Sequence, residues 1–470
     1  MVQKIGIISV SDERPNANER IKPAIEKQCR NLLDILYSIG TVQPVIIEEP
    51  VNSPSTARKA GLYLRSKNVA ATLFNVPTFG FPRFGLIASK FAPGPYMLIS
   101  QMDPNQPSPA GIAGIGGSMT QLGIPHERLW ADLAGERAKK EIDAFISAAT
   151  AVHGLNGLVF GLFGGRSMGL NPMVSSTVEF SRKFGIDVDH IDQLEIIRRS
   201  EEIAEQQVEK AVAWLGKNAR SVQFDDILTQ EKLRAQIRNY EALKIIIRER
   251  EIDFSAVKCH YELSEYQQPM CIAAMFCNDP YDWDGEKQPH VFACEADADG
   301  ALTMQILKLL SSSKPTCLLD IRYYHETSKT FLFQNCGTAP SWFACRSHSP
   351  KDNLGKVDFC SCVPKFKGGG AQTSFWFGEG DLTLARLYQA KDGYHMVITR
   401  AKAIDPLSIS DMPTGEAHWP KVAIKMNTTP ELLLQKMNCV HLHAVEGDYK
   451  KNLELVCKYL DIVPEVIELS

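Results

Sequence analysis

The sequence predicts an α/β chain, with two doubly wound α/β domains followed by a mostly antiparallel β C-terminal domain. Three observations predict this. Apolar runs alternate with helix-period segments as far as about residue 313, the pattern of parallel sheets whose crossovers are helices. Breakers such as Pro77-Thr-Phe-Gly-Phe-Pro82 and Asp103-Pro-Asn-Gln-Pro-Ser-Pro109 fall where strands of such sheets would end. After about residue 330 the segments become short and alternating, separated by Gly and Pro turns, as in antiparallel sheets.

A chain of 470 residues exceeds one ordinary core and fits roughly three domains. These are placed at residues 1–155, 156–313 and 314–470, the second boundary where Ser-Ser-Ser-Lys-Pro interrupts the pattern. In the first domain, residues 4–10, 45–47, 69–75 and 95–100 read as strands, and 21–39 and 55–66 as helices. A helix over 133–152 leads to the apolar strand 157–166, which opens the second round. There follow a strand at 190–194, a charged helix over 200–217 and another ending near Arg250. The last domain has strands at 330–335, 375–377, 383–389 and 395–402, and a closing helix over 446–460.

Composition excludes several function classes. Hydrophobic residues make up 44% and charged residues 23%, ordinary for a globular protein, and a net charge of −4 gives no reason to expect nucleic acid or an anionic membrane. The opening Met-Val-Gln-Lys-Ile-Gly-Ile-Ile-Ser-Val lacks the pattern of a signal peptide, and no apolar run is long enough to span a bilayer. Twelve cysteines are scattered without Cys-x-x-Cys spacing, which fits reduced thiols. The expected location is cytoplasmic.

Two acidic clusters stand inside apolar runs: Val291-Phe-Ala-Cys-Glu295-Ala-Asp297-Ala-Asp299 and Cys317-Leu-Leu-Asp320-Ile-Arg322, with a helix over 301–310 between them. A carboxylate ending a buried strand is costly unless it is paired, hydrogen-bonded or bound to a metal. Helix capping would account for Asp297 and Asp299. Glu295 and Asp320 each follow three apolar residues, and if their strands were neighbours both carboxylates would meet at one sheet edge. That points to a divalent-metal site built of oxygens. In Cys-Val-His441-Leu-His443, strand alternation puts both imidazoles on one face. Either histidine joined to two carboxylates suits Mn²⁺, Mg²⁺ or Fe²⁺ better than zinc. Gly161-Leu-Phe-Gly164-Gly165-Arg166 is no clean dinucleotide fingerprint, and no P-loop is present. Gly368-Gly369-Gly370-Ala-Gln372-Thr-Ser has the small and amide groups that suit a polyhydroxylated ligand, or a plain hairpin connection.

Taken together these segments resemble the L-fucose isomerase family and, more distantly, L-arabinose isomerase. The resemblance rests on motifs in order along nearly the whole chain. Ile5-Gly-Ile with Asp12-Glu-Arg14, Arg166-Ser-Met-Gly169 and Gly185-Ile-Asp-Val-Asp-His-Ile-Asp192 are followed by Phe292-Ala-Cys-Glu295-Ala-Asp297. Asp320-Ile-Arg322, Asn335-Cys336-Gly337 and Phe366-Lys-Gly-Gly-Gly370 complete the series. The resemblance implies Glu295 and Asp320 as metal ligands and acid–base groups, with His441, or alternatively His443, completing the shell. It implies Mn²⁺, or another divalent ion such as Mg²⁺, Co²⁺ or Fe²⁺. The sugar contacts it implies are Arg14, Phe79, Phe81, Arg166, Asn335, Cys336 and Gln372, with Arg14 reaching in from a neighbouring subunit. Cys336 stands where the family pattern leads one to expect serine.

The implied activity is aldose–ketose isomerisation of a free monosaccharide of the L-fucose, D-arabinose or L-arabinose type by an ene-diol route, in a homotrimer or homohexamer. Two alternatives stay open. One is an isomerase of a modified or acidic hexose, with Arg83, Arg166 or Lys367 holding the anion. The other is a non-catalytic sugar-binding homologue.

Overall fold

The computed structural model describes residues 3–174, 176–415 and 418–469, which fall into two compact units. The first comprises Met1–His153 with Lys451–Tyr459, and the second Gly154–Lys450 with Leu460–Ser470.

Five parallel strands build the first unit, in the spatial order Val42–Ile46, Gln3–Ser9, Ala71–Asn75, Tyr96–Gln101, His126–Ala131. Parallel neighbours need crossovers, and helices Pro15–Ile39, Pro54–Ser66, Pro82–Ser89 and Ser108–Gln121 supply them. On one face of the sheet Ile5, Ile7 and Leu73 pack with Leu32, Leu36 and Phe145. On the other, Ile8, Phe74 and Leu98 pack with Leu64, Phe84 and Ile115. Helices on both faces are why these strands read as continuous apolar runs. The first helix begins at Pro15, well before the expected residue 21, because proline in a first turn has no needed N–H to lose. The polar stretch after Pro15 concealed that start. Part of the closing helix, Lys450–Tyr459, also belongs here, where Lys458 bonds the His126 carbonyl at 2.8 Å and the Glu127 carboxylate at 2.5 Å.

The second unit holds two sheets of different kinds. Four parallel strands lie in the order Phe292–Ala293, Phe254–Val257, Val159–Phe163, Asp187–Ile191. An antiparallel sheet runs Gly380–Ala390, His441–Glu446, Thr316–His325, Thr330–Gln334, Lys421–Met426, Gly393–Ile404, and the last strand pairs back with the first. That closure makes a barrel and leaves those strands no open edge. Val463–Val466 adds to it in parallel, beside Gly393–Ile404. Helix Ala298–Leu310, apolar nearly all round, packs against strands of both sheets, and its Thr303 Oγ1 accepts the Leu387 N–H at 2.9 Å. One continuous core runs from Phe163 to Leu384 and Val422. No helix among the described residues is long and apolar enough to cross a membrane.

Three expectations need correction. Residues 291–299 are not a strand ending in acids: pairing stops at Ala293, and the chain turns before helix Ala298–Leu310. The strands before Glu295 and around Asp320 are not neighbours but members of different sheets. No strand spans 375–377. The strand ends at Ser374, Trp376 makes only an isolated parallel bridge with Lys421, and Phe375 and Phe377 are buried with their rings stacked 5.7 Å apart.

Candidate active site

Register fixes the barrel side of the site. Asp320 lies directly opposite His441 across the antiparallel ladder, and Leu318 opposite His443. Directly opposed residues project to one face with Cβ atoms about 5 Å apart, so Asp320 and His441 must meet. Glu295 comes from the other sheet. After Ala293 the backbone takes left-handed values at Glu295 (φ 59°) and Ala296 (φ 55°), which costs a non-glycine residue roughly 1–2 kcal/mol. The Ala296 N–H bonds to the Val257 carbonyl at 2.8 Å, and Asp297 then caps the helix by accepting the Gly300 N–H at 2.9 Å. Any side chain at Gly300 would strike the Asp297 carboxylate and come within 2.7 Å of His443 Nε2, so the close packing requires glycine.

The outcome is a cluster in which His441 Nε2 lies 3.7 Å from Glu295 Oε2 and 3.7 Å from Asp320 Oδ1. His441 Nδ1 bonds Asp297 Oδ2 at 2.9 Å, and the Arg386 guanidinium donates to the same oxygen at 2.5 Å. Asp297 thus fixes the ring so that Nε2 faces the two carboxylates. A carboxylate behind a histidine is the usual support of a metal-binding imidazole.

Electrostatics follow from these contacts. Burial raises the Glu295 carboxyl, His441 works against that, and Asp320 and Asp297 add to it. Burial opposes charge on His441, but the Asp297 bond and the nearby Asp320 and Glu295 carboxylates push it up to about 9. Burial also opposes charge on Asp297, yet Arg386 and His441 hold its carboxyl far below the usual range.

Glu295, Asp320 and His441 Nε2 are donors of the oxygen and nitrogen kind that Mn²⁺, Mg²⁺, Co²⁺ or Fe²⁺ accept. Each carboxylate lies 3.7 Å from His441 Nε2, but the two are more than 4.8 Å from each other, so one ion held at about 2.1 Å by all three would have to draw the carboxylates together. In donor chemistry these residues suit a divalent ion. Among the described residues, donor atoms of Asp297, His441 and His443 also lie within 4.8 Å of one another. That trio fits an ion less well, because the Arg386 cation already occupies the shared Asp297 oxygen and neither Asp297 nor His443 is exposed.

Beside the cluster is a cavity of about 160 Å³. Glu295, Asp320 and Cys336 line it, with Arg322, Lys365 and His260, and with Trp419, Phe366 and Met168 as its apolar part. The other sequence candidates stand elsewhere. Asn335 is buried, its amide bonded to the Leu318 carbonyl and to the Thr338 and Ala339 N–H groups. The buried Gln372 amide is taken up by the Cys336 carbonyl, the Val363 N–H and the Trp419 indole. Arg166 is exposed and bonds Asn171 at 2.7 Å. Arg14, Phe79 and Phe81 belong to the first unit, where Arg14 pairs with Asp12 at 2.6 Å and lies over the Phe81 ring. Of the residues considered for an anion, Arg83 pairs with Glu13 and Lys367 with Glu265.

Sequence reasoning missed Arg386, Lys365, His260 and Trp419. Only Arg386 carried a signal: a lone cation inside the apolar strand Leu382-Thr-Leu-Ala-Arg386-Leu, as anomalous there as the acids were in theirs.

Comparison with known proteins identifies the family. Residues 2–157 match the family model for the first N-terminal domain of L-fucose isomerase, and residues 333–467 the model for its C-terminal domain. Glu295 and Asp320 lie between the matched segments, and His441 within the second. The chain is 21% identical over 416 residues to sulfoquinovose isomerase of Priestia megaterium, covering 86% of each protein. It is 22% identical over 349 residues to that of Alkalicoccus urumqiensis, covering 74% of this chain and 70% of the relative. L-fucose isomerase of Streptococcus pneumoniae is 23% identical over 362 residues, covering 68% of this chain and 61% of the relative. The chain belongs to the L-fucose isomerase family and is a sugar isomerase, an intramolecular oxidoreductase.

Proposed function

We propose that this isomerase is metal-dependent, Mn²⁺ being the expected ion, and interconverts an aldose and a ketose through an ene-diol. The placement of His441 Nε2 3.7 Å from both Glu295 and Asp320 carries the reading. A divalent ion there would supply charge withdrawal from the two oxygens on the reacting carbons. Glu295, whose carboxyl burial holds above its ordinary value, moves the proton between C1 and C2. Asp320 exchanges the hydroxyl protons. His441 is held in place by Asp297, so that its Nε2 stays aimed at the centre. Arg14, Phe79 and Phe81 are proposed to reach the sugar from a neighbouring copy in a homotrimer or homohexamer.

Cavity charge favours a second reading of the substrate, a sugar bearing an acidic group. Among the described residues Lys365 has no ion pair, and Arg322, 3.2 Å from Asp320, lies over the Trp419 ring at 4.8 Å. Glu295 and Asp320 give −2, a divalent ion +2, and Arg322 with Lys365 +2, leaving a surplus of +2 for a negative substituent to meet. The relatives named sulfoquinovose isomerase agree with this reading.

A panel of neutral aldoses and acidic sugars assayed with Mn²⁺ tests both. Ketose should form from one class, and Glu295→Gln should lower turnover by roughly 10³-fold or more while the fold persists. A sugar-binding homologue would instead bind ligand without Mn²⁺, form no ketose and be indifferent to Glu295→Gln.

A further inference from the structure

Strand Thr316–His325 carries an irregularity beside the site. Across the ladder Asp320 faces Gln334, Ile321 faces Phe333 and Tyr323 faces Leu332, so Arg322 is an extra residue with no partner. A bulge of this kind re-aims a side chain out of the strict alternation of its strand and is common next to active sites. The Arg322 side chain folds back along its own strand, where Nη2 donates to Asp320 Oδ2 at 3.2 Å. A half-exposed pair of this sort would be weak by itself. Here the guanidinium is also held on a second side, 4.8 Å over the Trp419 ring, and the buried Trp419 is fixed by its indole N–H, which donates to Gln372 Oε1 at 3.0 Å. Arginine suits both contacts, being planar, forked and able to stack on an aromatic face. The two oxygens of Asp320 therefore have different surroundings: Oδ1 lies 3.7 Å from His441 Nε2, and Oδ2 meets Arg322.

We propose that Arg322 is a positioning residue that limits Asp320 to one oxygen at the metal centre. The inference rests on the proposed reading of Asp320 as a ligand that also exchanges hydroxyl protons. A carboxylate free to turn binds a divalent ion through one oxygen or through both. With Oδ2 engaged by the guanidinium, Asp320 turns only Oδ1 toward His441 and the centre, and Oδ2 is kept for the hydroxyl protons of the sugar. Without Arg322 both oxygens can close on the ion. The ion is then held more tightly, and the oxygen that handles protons is lost to the reaction. Ion binding and turnover thus move in opposite directions, which damage to the fold does not produce.

The test uses the full-length protein, Mn²⁺ alone as the probe of binding, and a sugar from which the protein forms ketose. Calorimetry on Arg322→Met should show Mn²⁺ bound roughly three- to tenfold more tightly. Its kcat should fall roughly 10- to 100-fold while KM changes by less than about threefold. Guanidinium ion added to the buffer should return part of the lost kcat and do nothing for the unaltered protein. In an Asp320→Asn background Arg322→Met should leave Mn²⁺ affinity within about twofold, since the effect passes through Asp320. Arg322→Lys keeps the charge without the fork, serves where Arg322→Met fails to fold, and should show the same opposed signs at smaller size. Three results overturn the proposal. One is affinity and kcat falling together, and another is a tightening just as large in the Asp320→Asn background, which is charge repulsion alone. The third is a KM rise on acidic sugars with kcat kept, which makes Arg322 a holder of the substituent. Unaltered protein that binds no Mn²⁺ would sink the metal reading, leaving kcat and its rescue by guanidinium to judge Arg322.

Discussion

Asp297 and Asp299 leave the start of one helix two residues apart, and His441 and His443 leave one face of one strand two residues apart. All four are buried, yet the layer nearer the cavity is charged and the layer beneath it neutral. Burial raises Asp299 to about 8 although Arg386 opposes it, and lowers His443 well below its ordinary value although Asp297 opposes it. Asp297 and His441 meet the same burial but are joined to each other, and Asp297 also to Arg386 at 2.5 Å. Both layers are almost fully buried, and direct contact with a counter-charge makes the difference. The site spends its one buried guanidinium on the carboxylate that orients the candidate metal ligand.

Removing that guanidinium is the strongest way to break the contrast. Arg386→Met leaves Asp297 with only His441 to balance it, and breaking a buried pair costs roughly 3–5 kcal/mol. Denaturant unfolding at neutral pH should show the loss, and adding Asp297→Asn should recover part of it. The folded value of Asp297 is depressed, so its contribution is present above its ordinary value of 3.8 and disappears as pH falls. The gap between Arg386→Met and the unaltered protein should therefore narrow in acid. A gap that stays constant down to low pH would mean that Arg386 acts by packing alone.

The inner layer predicts an opposite, smaller effect. Asp299 titrates near 8 in the folded chain against 3.8 ordinarily, so folding takes up a proton across that range and stability falls as pH rises through it. Asp299→Asn has the shape of the protonated acid without this liability. It should stabilise the protein by roughly 1–3 kcal/mol at pH 7–8 and change little near pH 4. Equal destabilisation at both pH values would show that Asp299 is ionised and paired, like its neighbour.

How far the sequence foretold this depends on the kind of constraint. Asp320 and His441 were legible because strand periodicity alone aims side chains, and an acid or two histidines break an apolar alternation visibly. The parallel sheets were legible for the same reason. Glu295 was singled out by its charge, but its route was misread: no local pattern announces a left-handed turn at Glu295-Ala296, which the Val257 carbonyl and the Asp297 cap impose from outside. Lys365 and Trp419 carry no periodic signal and reach the cavity from segments without regular structure. Cys259, Cys271, Cys294 and Cys336 all line the cavity, and nothing in their spacing along the chain announces it. Only register and caps are local enough to read. Arg386 stands between these cases, readable as an anomaly but not assignable to a partner.

The finest test of the two layers counts protons. With His441 pushed up to about 9, the metal-free site holds its imidazolium at neutral pH, and Nε2 must lose that proton before it can bind an ion. Mn²⁺ uptake at pH 7 should release about one proton, and affinity should climb about tenfold, or roughly 1.4 kcal/mol, per pH unit until it levels near pH 9. Calorimetry in buffers of different ionisation enthalpy measures the release directly. His443 is already neutral, so His443→Gln should shift the affinity without changing the slope, whereas Asp297→Asn removes the partner that raises His441 and should bring the plateau to lower pH. A slope near two between pH 7 and 9 would place a second proton in the outer layer, and the sharing of charge between Glu295 and His441 would have to be redrawn.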